Sequence, residues 1–334
     1  MSEIAFPLPV LVCDTGGTNV RFALAKEAAG GLGQVVHLRT GDYPGLPEAI
    51  EAAAPRLGLR PRSAIVCGAG PVAGRTLKLT NAPWVIDGPQ TARSARLEQG
   101  LLLNDFEAQA LSLPAMPEAW AKQIGALRFG VEGPQVILGP GTGLGIAALV
   151  EADGRFAAVS SEACHIDFGP IHPDEYTLWP HLERAHGRVT SESVISGAGL
   201  ARIHRARMVA LGLADPRDEP AAVTAAALAD PEGEEAKSLS LYWRIVARFA
   251  GDMAVTFVAT GGVTLAGGVL PRVTKFLDEA VFRQAFEDKA PVDGLARRIP
   301  TRLVVRDDAV LVGMAAIASS PGRYAIDYAS RAWV

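Results

Sequence analysis

Two stretches of the chain share one design. Apolar Val10 to Cys13 leads into the polar, glycine-rich run Asp14-Thr-Gly-Gly-Thr-Asn19 and out through a second apolar stretch, Val20 to Ala25. Short apolar runs flanking such a turn predict a β-hairpin with its polar atoms crowded at the tip. The pattern recurs as Gln135 to Leu138, the turn Gly139-Pro-Gly-Thr-Gly-Leu-Gly145, and Ile146 to Val150. The repetition predicts an internally duplicated chain with one glycine-threonine turn in each half. Between the copies, Ala64 to Val66 and Leu101 to Leu103 read as short strands, and Phe106 to Leu113 carries a helical pattern closed by Pro114 and Pro117. Asn104 and Asp105 thereby fall at the carboxyl end of a strand and the start of a helix.

Beyond Val150 the pattern predicts a helix ending near Gly187, another from Glu192 or Gly199 to Leu211, and a long amphipathic helix from about Glu234 to Ala259. A strand over Thr301 to Val305, polar Arg306 to Asp308 and an apolar helix from Ala309 to Ala318 come next, the last suited to packing on the N-terminal part. Alternating strands and helices predict an α/β fold with mixed sheets. Asp215 to Pro220 and Asp230 to Glu235 read as exposed loops. Leu265-Ala-Gly267-Gly268-Val-Leu-Pro-Arg272 reads as a strand ending in a glycine pair before a proline-started helix. That junction lets a flat ligand lie on bare backbone, and tight strand–helix packing explains it equally well.

Length changes the picture first: 334 residues at 49% hydrophobic and 20% charged content exceed one minimal domain and predict two. A net charge of -4 leaves no basic excess for a nucleic-acid backbone or an anionic bilayer, which favours a small-molecule partner. Glu3 stands where an export signal needs positive charge. The uncharged stretch Met253 to Leu270 is broken by Gly261, Gly262, Gly267 and Gly268, so it reads as buried core rather than a membrane span. Cys13, Cys67 and Cys164 are too few and too far apart for a disulfide framework or a paired-cysteine metal site, and a reducing cytoplasm is expected.

Phosphate binding needs backbone N–H groups aimed at oxygen, which glycine-rich turns present because no side chain blocks close approach. Both turns qualify, although each alone also reads as an ordinary hairpin loop. No Gly-Lys pair occurs in the chain, which excludes a P-loop. Asp14 is placed to hold Mg2+ through water, since that ion takes hard oxygen ligands. Gly68-Ala-Gly-Pro-Val-Ala73 matches a dinucleotide fingerprint, but Pro71, Gly74 and the alternating Thr76 to Leu79 predict a turn and strand where that fold needs a helix.

Asp105 is the leading candidate for chemistry: a carboxylate at a strand end can take the proton of an attacking hydroxyl. It reads equally as the helix N-cap, and the helix N-terminus is expected to depress its pKa and keep it ionised. In Ser161-Glu-Ala-Cys-His-Ile-Asp-Phe168, strand alternation would put His165 and Asp167 on one face, with the carboxylate orienting the imidazole. The same alternation sends Cys164 and His165 to opposite faces. The other histidines (His37, His172, His181, His186, His204) offer no metal-binding spacing. Glu162 reads by itself as part of a solvated loop, and Glu192 as a first-turn helix acid.

Taken in order, eight segments resemble the bacterial glucokinase family of the hexokinase and actin-like superfamily over Val10 to about Ala316. They are Asp14-Thr-Gly-Gly-Thr-Asn-Val-Arg21, Leu79-Thr-Asn-Ala-Pro-Trp84, Asn104-Asp-Phe106, Gly139-Pro-Gly-Thr-Gly-Leu-Gly145, Glu162-Ala-Cys-His-Ile-Asp-Phe168, Glu192 to Leu200, Ala266-Gly-Gly-Val-Leu-Pro-Arg272 and Phe286-Glu-Asp-Lys289. The resemblance implies a two-lobed actin-like ATPase (ribonuclease H-like) fold. Its smaller lobe would comprise 1–109 plus 307–334 and its larger, more helical lobe 110–306, with the active site in the cleft between.

It further implies phosphorylation of glucose at the 6-hydroxyl by ATP and Mg2+ in the cytoplasm, by a possible homodimer with no nucleic-acid or membrane partner. Asp105 matches the catalytic base, and Asn81, Asn104, Glu162, His165 and Glu192 match sugar ligands. Cys13, Asp14, Thr15, Gly16, Gly17, Thr18, Asn19, Gly141, Thr142, Gly143, Gly267 and Gly268 match the nucleotide site. Ala163-Cys164 stands where the family pattern has two glycines, a departure that bears on sugar preference. A kinase for another hexose is the nearest alternative. A non-catalytic sugar-sensing regulator is the other, disfavoured because the first core strand begins near Val10 and leaves no room for a helix-turn-helix before it.

Overall fold

A computed structural model describes residues 4–27, 31–214, 217–306 and 308–333. The loop expected over Asp215 to Pro220 falls partly outside these residues, as does Asp307. The chain divides into two compact units, one of Met1–Trp120, Leu149–Val159 and Arg306–Val334, the other of Ala121–Ala148 and Ser160–Val305.

The first unit is built on strands β1 (Val10–Thr15), β2 (Asn19–Ala25), β3 (Val36–Arg39), β4 (Ser63–Gly68) and β8 (Gln99–Asn104), with β5 (Val72–Ala73), β6 (Thr76–Lys78) and β7 (Val85–Asp87) forming a small separate sheet. A last strand, β15 (Ala332–Trp333), completes the larger sheet in the order β15-β8-β4-β1-β2-β3. β1 is central and buried on both faces, which its apolar run Val-Leu-Val-Cys dictates. It pairs antiparallel with β2 and parallel with β4, so Asp14 lies opposite Arg21 on one side and Cys67 on the other. β4 runs parallel to β8, which places Gly68 beside Asn104. The chain after Gly68 continues into β5 and β6 with no helix, as the proline and glycines there predict, and no dinucleotide fingerprint is formed.

The second unit's sheet takes β9 (Ala121–Ile124), β10 (Gln135–Pro140), β11 (Leu144–Ala152), β12 (Arg155–Ser161), β13 (Gly262–Leu265) and β14 (Thr301–Val304) in the order β12-β11-β10-β13-β14-β9. The far ends of β11 and β12 belong to the first unit, where Phe156 bridges to Tyr324. The two orders match strand for strand: a three-strand meander, two parallel strands added to its first member, and an antiparallel edge. The duplication expected from the two turns therefore extends to whole sheets.

Helices differ in detail from expectation. The predicted helix before Gly187 is only Pro173–Leu178 and a 3-10 turn, Trp179–His181. Pro180 interrupts the pattern because it supplies no N–H. Ser191–Val194 and Gly197–Ala210 are separate helices, and the segment after Gly268 is a 3-10 helix, Leu270–Phe276. The long helix Glu234–Thr256 is the spine of the second core. Met253 to Leu270 proves to be helix end, turn and strand, and among the described residues no helix is long and apolar enough to cross a membrane. Ala309–Ser319 packs on Asp105–Ser112 so closely that a Cβ on Gly313 would strike Ser112.

Candidate active site

The expected residues fall into two groups, one carried by each unit. In the first unit the β1–β2 turn is pinned from outside by Thr40, whose hydroxyl donates to the Gly16 carbonyl at 2.8 Å and whose N–H donates to Thr18 O at 2.9 Å. Cys13 and Thr15 are fully buried, and the Thr15 hydroxyl donates to Cys67 O at 2.7 Å. Their side chains are thus committed to the sheet. The groups left at the tip are the carboxylate of Asp14, the backbone of Gly16 and Gly17, and the exposed Thr18 and Asn19. Asn81 closes one flank: a Cβ on Gly17 would lie 2.8 Å from its carbonyl oxygen.

Asp14 has two long contacts, with Arg21 Nε 3.6 Å from Oδ2 and the Cys67 thiol donating to Oδ1 at 3.5 Å. Burial, and then the charges of Asp14 and Asp105, push the Cys67 thiol up, so it stays a donor. Neither partner was singled out from the sequence. Arg21 is recoverable from the hairpin register, since it faces Asp14 as a cross-strand pair of opposite charge. Cys67 is not, because only the sheet order puts β4 beside β1.

Two readings of Asp105 need correction. The cap of the helix Asp105–Ser112 is Asn104, whose Oδ1 accepts from the N–H groups of Phe106 and Glu107 at 3.0 and 3.2 Å. Glu107 Oε2 accepts in return from Asn104 N–H, a reciprocal capping box. The second Asn104 amide atom, Nδ2, donates to Gly70 O at 3.1 Å. Nor is the Asp105 carboxyl depressed. Desolvation, and then the Asp14 charge, push it up to about 6, outweighing the opposing pull of the Phe106 and Asp105 amides and the Asn104 side chain.

In the second unit, Gly141–Gly143 is a tight turn in which Gly141 N–H donates to Gly143 O at 2.8 Å. Glu192, in the short helix Ser191–Val194, accepts from Leu144 N–H at 2.9 Å. Its carboxylate lies so close that a Cβ on Gly143 would come within 2.5 Å of Oε2. Thr142 is exposed at the tip. Gly267, at φ 83°, takes a left-handed conformation and packs on the Pro140 carbonyl where a side chain would collide. Gly268 beside it has open space over its Cα. The two glycine turns of this unit therefore lie side by side.

Glu162 and His165 do not sit on a strand: Ala163–His165 is a 3-10 turn, with His165 N–H donating to Glu162 O at 2.9 Å. The carboxylate against the imidazole is that of Glu162, 3.6 Å from His165 Nε2. Asp167 instead accepts from Arg188 at 2.8 Å and bridges to Thr190. Ser191 N–H donates to Ile166 O at 3.1 Å, which docks this turn beside the helix of Glu192. Behind it, buried Arg248 donates to Glu175 at 2.6 Å and to Gly169 O at 2.7 Å.

A family model for glucokinase matches residues 11–321. A glucokinase from Sinorhizobium medicae is 41% identical over 333 residues, which is 99% of this chain and 98% of that protein. The crystal structure of a glucokinase from an Antarctic psychrotroph superposes with a TM-score of 0.81 at 29% identity, over 93% of this chain and 98% of that one. A ROK family glucokinase from Streptomyces griseus, solved in complex with glucose and AMPPNP, has the same fold at TM-score 0.60 and 21% identity, over 93% and 99% of the two chains. These structures carry the two-lobed actin-like ATPase fold. With matching sheets in both halves and a family match along nearly its whole length, the chain belongs to the glucokinase family.

Proposed function

We propose that the ATP-dependent glucokinase activity, transfer of the γ-phosphoryl group to the 6-hydroxyl of glucose, uses Asp105 as proton acceptor for that hydroxyl. One observation carries the assignment: a half-buried carboxyl at a strand's end whose pKa is raised to about 6. An ordinary aspartate, near 3.9, is a poorer proton acceptor. Asp105 orients the hydroxyl and takes its proton late, as a loose, metaphosphate-like group transfers in line.

Asn81, Asn104, Glu162, His165 and Glu192 are assigned to the sugar, whose hydroxyls can donate to the carboxylates and accept from the Asn104 Nδ2 hydrogen left over after Gly70, or pair with the imidazole nitrogens. The Asp14–Asn19 turn, Gly141–Gly143 and Gly267–Gly268 are assigned to the nucleotide. The glucose and AMPPNP held by the Streptomyces griseus relative support both substrates. Asp14 suits Mg2+ held through water, because its contacts at 3.5 and 3.6 Å are long enough to leave its hard oxygens available. Bound there, the ion would neutralise phosphate charge.

The test couples glucose 6-phosphate formation to a panel of hexoses. Glucose should give the highest kcat/KM, and Asp105→Asn should lose turnover at least a thousandfold while calorimetry still detects glucose binding. Near-normal turnover in that variant would remove Asp105 from its role. A better acceptor than glucose would move the activity to another hexose.

A further inference from the structure

The turn Glu162–His165 holds three different metal-binding atoms. Glu162 Oε2 lies 3.6 Å from His165 Nε2 and 3.7 Å from Cys164 Sγ, and all three atoms fall within 4.8 Å of one another. Zinc bonds of about 2.0 to 2.1 Å to oxygen and nitrogen and about 2.3 Å to sulfur make tetrahedral edges of roughly 3.3 Å (O to N) and roughly 3.5 Å (O to S). Two observed edges already lie near those lengths. Cys164 is anchored in the core at 4% exposure, whereas the Glu162 and His165 side chains are 88% and 56% exposed and free to close the third edge. Strand alternation would have kept the thiol and imidazole apart. The 3-10 turn brings them to one carboxylate.

We propose that this turn binds Zn2+, through Cys164, His165 and Glu162 with water as fourth ligand, in place of the hexose. The inference rests on the assignment of Glu162 and His165 to the sugar: an ion that takes both removes two sugar ligands. Thiolate, imidazole and carboxylate together suit zinc, whereas Mg2+ takes oxygen alone, so the Mg2+ that accompanies ATP leaves the turn free. Binding displaces the Cys164 thiol proton to solvent, with no change of oxidation state. Burial and the Glu162 and Glu192 charges push the Cys164 thiol up, so the free turn keeps its proton and the ion must displace it, while the same two carboxylates attract the cation.

The experiment is calorimetric titration of Zn2+ into the full chain, with and without saturating glucose, repeated for Cys164→Ser and Cys164→Ala. Co2+ is used in parallel, because its visible spectrum reports thiolate ligation directly. One equivalent should bind, at least tenfold more weakly in both variants, with a cobalt–thiolate band in the parent protein only. Glucose should weaken Zn2+ binding at least tenfold, and Zn2+ should raise the KM for glucose while leaving kcat unchanged. Equal affinity in parent and variants, or no stoichiometric binding by a chain that phosphorylates glucose, would overturn the metal site and leave the glucokinase reading intact. Thiolate-ligated metal that glucose fails to displace would overturn the competition, and with it the assignment of Glu162 and His165 to the sugar.

Discussion

Asp105 shows how one carboxyl ties the proposed proton transfer to stability. Its pKa rises from 3.8 to about 6 on folding, so the folded state favours the protonated form. Above about pH 6 the ionised group is held at a cost, on the order of 3 kcal/mol at about 1.4 kcal/mol per unit. Below about pH 4 both states are protonated and the cost vanishes. Asp105→Asn should therefore melt at a higher temperature than the parent at pH 8, with the difference shrinking to nothing by pH 4. An unchanged difference across that range would refute the burial argument. The proposed role as proton acceptor requires the ionised form, so kcat/KM should fall tenfold per unit below about pH 6, read from initial rates in the free-enzyme regime. The position of Asp105 at a strand end was legible from pattern alone. Its pKa was not, because a helix start suggests stabilised charge, and only the packed structure reveals that desolvation and Asp14 prevail.

At the scale of elements, the site depends on caps and anchors. Asn104 satisfies two amides of the helix Asp105–Ser112 and holds the Gly70 carbonyl, while Glu107 returns the cap and pairs with Arg331 at 2.5 Å. Asn104→Ala should cost about 1 to 2 kcal/mol, measurable by urea unfolding, and raise the glucose KM. A variant as stable as the parent would mean the cap carries no net energy. The Arg248–Glu175 pair ties the segment after the Glu162 turn to the long helix Glu234–Thr256. Both partners are buried, and Arg248 also stacks 4.2 Å over the Phe168 ring. Arg248→Met leaves the buried Glu175 carboxylate with only Arg244 at 3.3 Å and the Ile171 N–H at 3.0 Å, and should cost about 3 kcal/mol, whereas adding Glu175→Gln should restore much of that. No recovery in the double variant would point to the ring contact instead. Both hairpins could be read in advance because their turns concentrate glycine between apolar runs. The helix toward Gly187 could not, because Pro180 ends it early and its place is fixed by the tertiary contacts of Glu175 with Arg244 and Arg248.

Across the whole molecule, the two sheets repeat one topology, yet the chain enters the first unit three times. The duplication was visible in two short turns; the return of the C-terminus to the first unit was expected from the apolar helix and the family resemblance, but its last strand, Ala332–Trp333, was not. That return ends in Trp333, fully buried over Gly88 and Gly100, where any Cβ would collide with the indole. Trp333→Ala should cost about 3 to 5 kcal/mol and lower the melting temperature by roughly 10 °C. A calorimetric scan showing no shift would mean the edge strand is dispensable. The same connection sets a clock on biosynthesis. Strand β8, which ends at Asn104, leaves the ribosome long before β15, the partner of its open edge. The roughly 230 residues between them take on the order of 10 to 50 s at about 5–20 residues per second. Throughout that interval the strand leading to Asp105 lacks the partner of its outer edge, so that edge is sealed last.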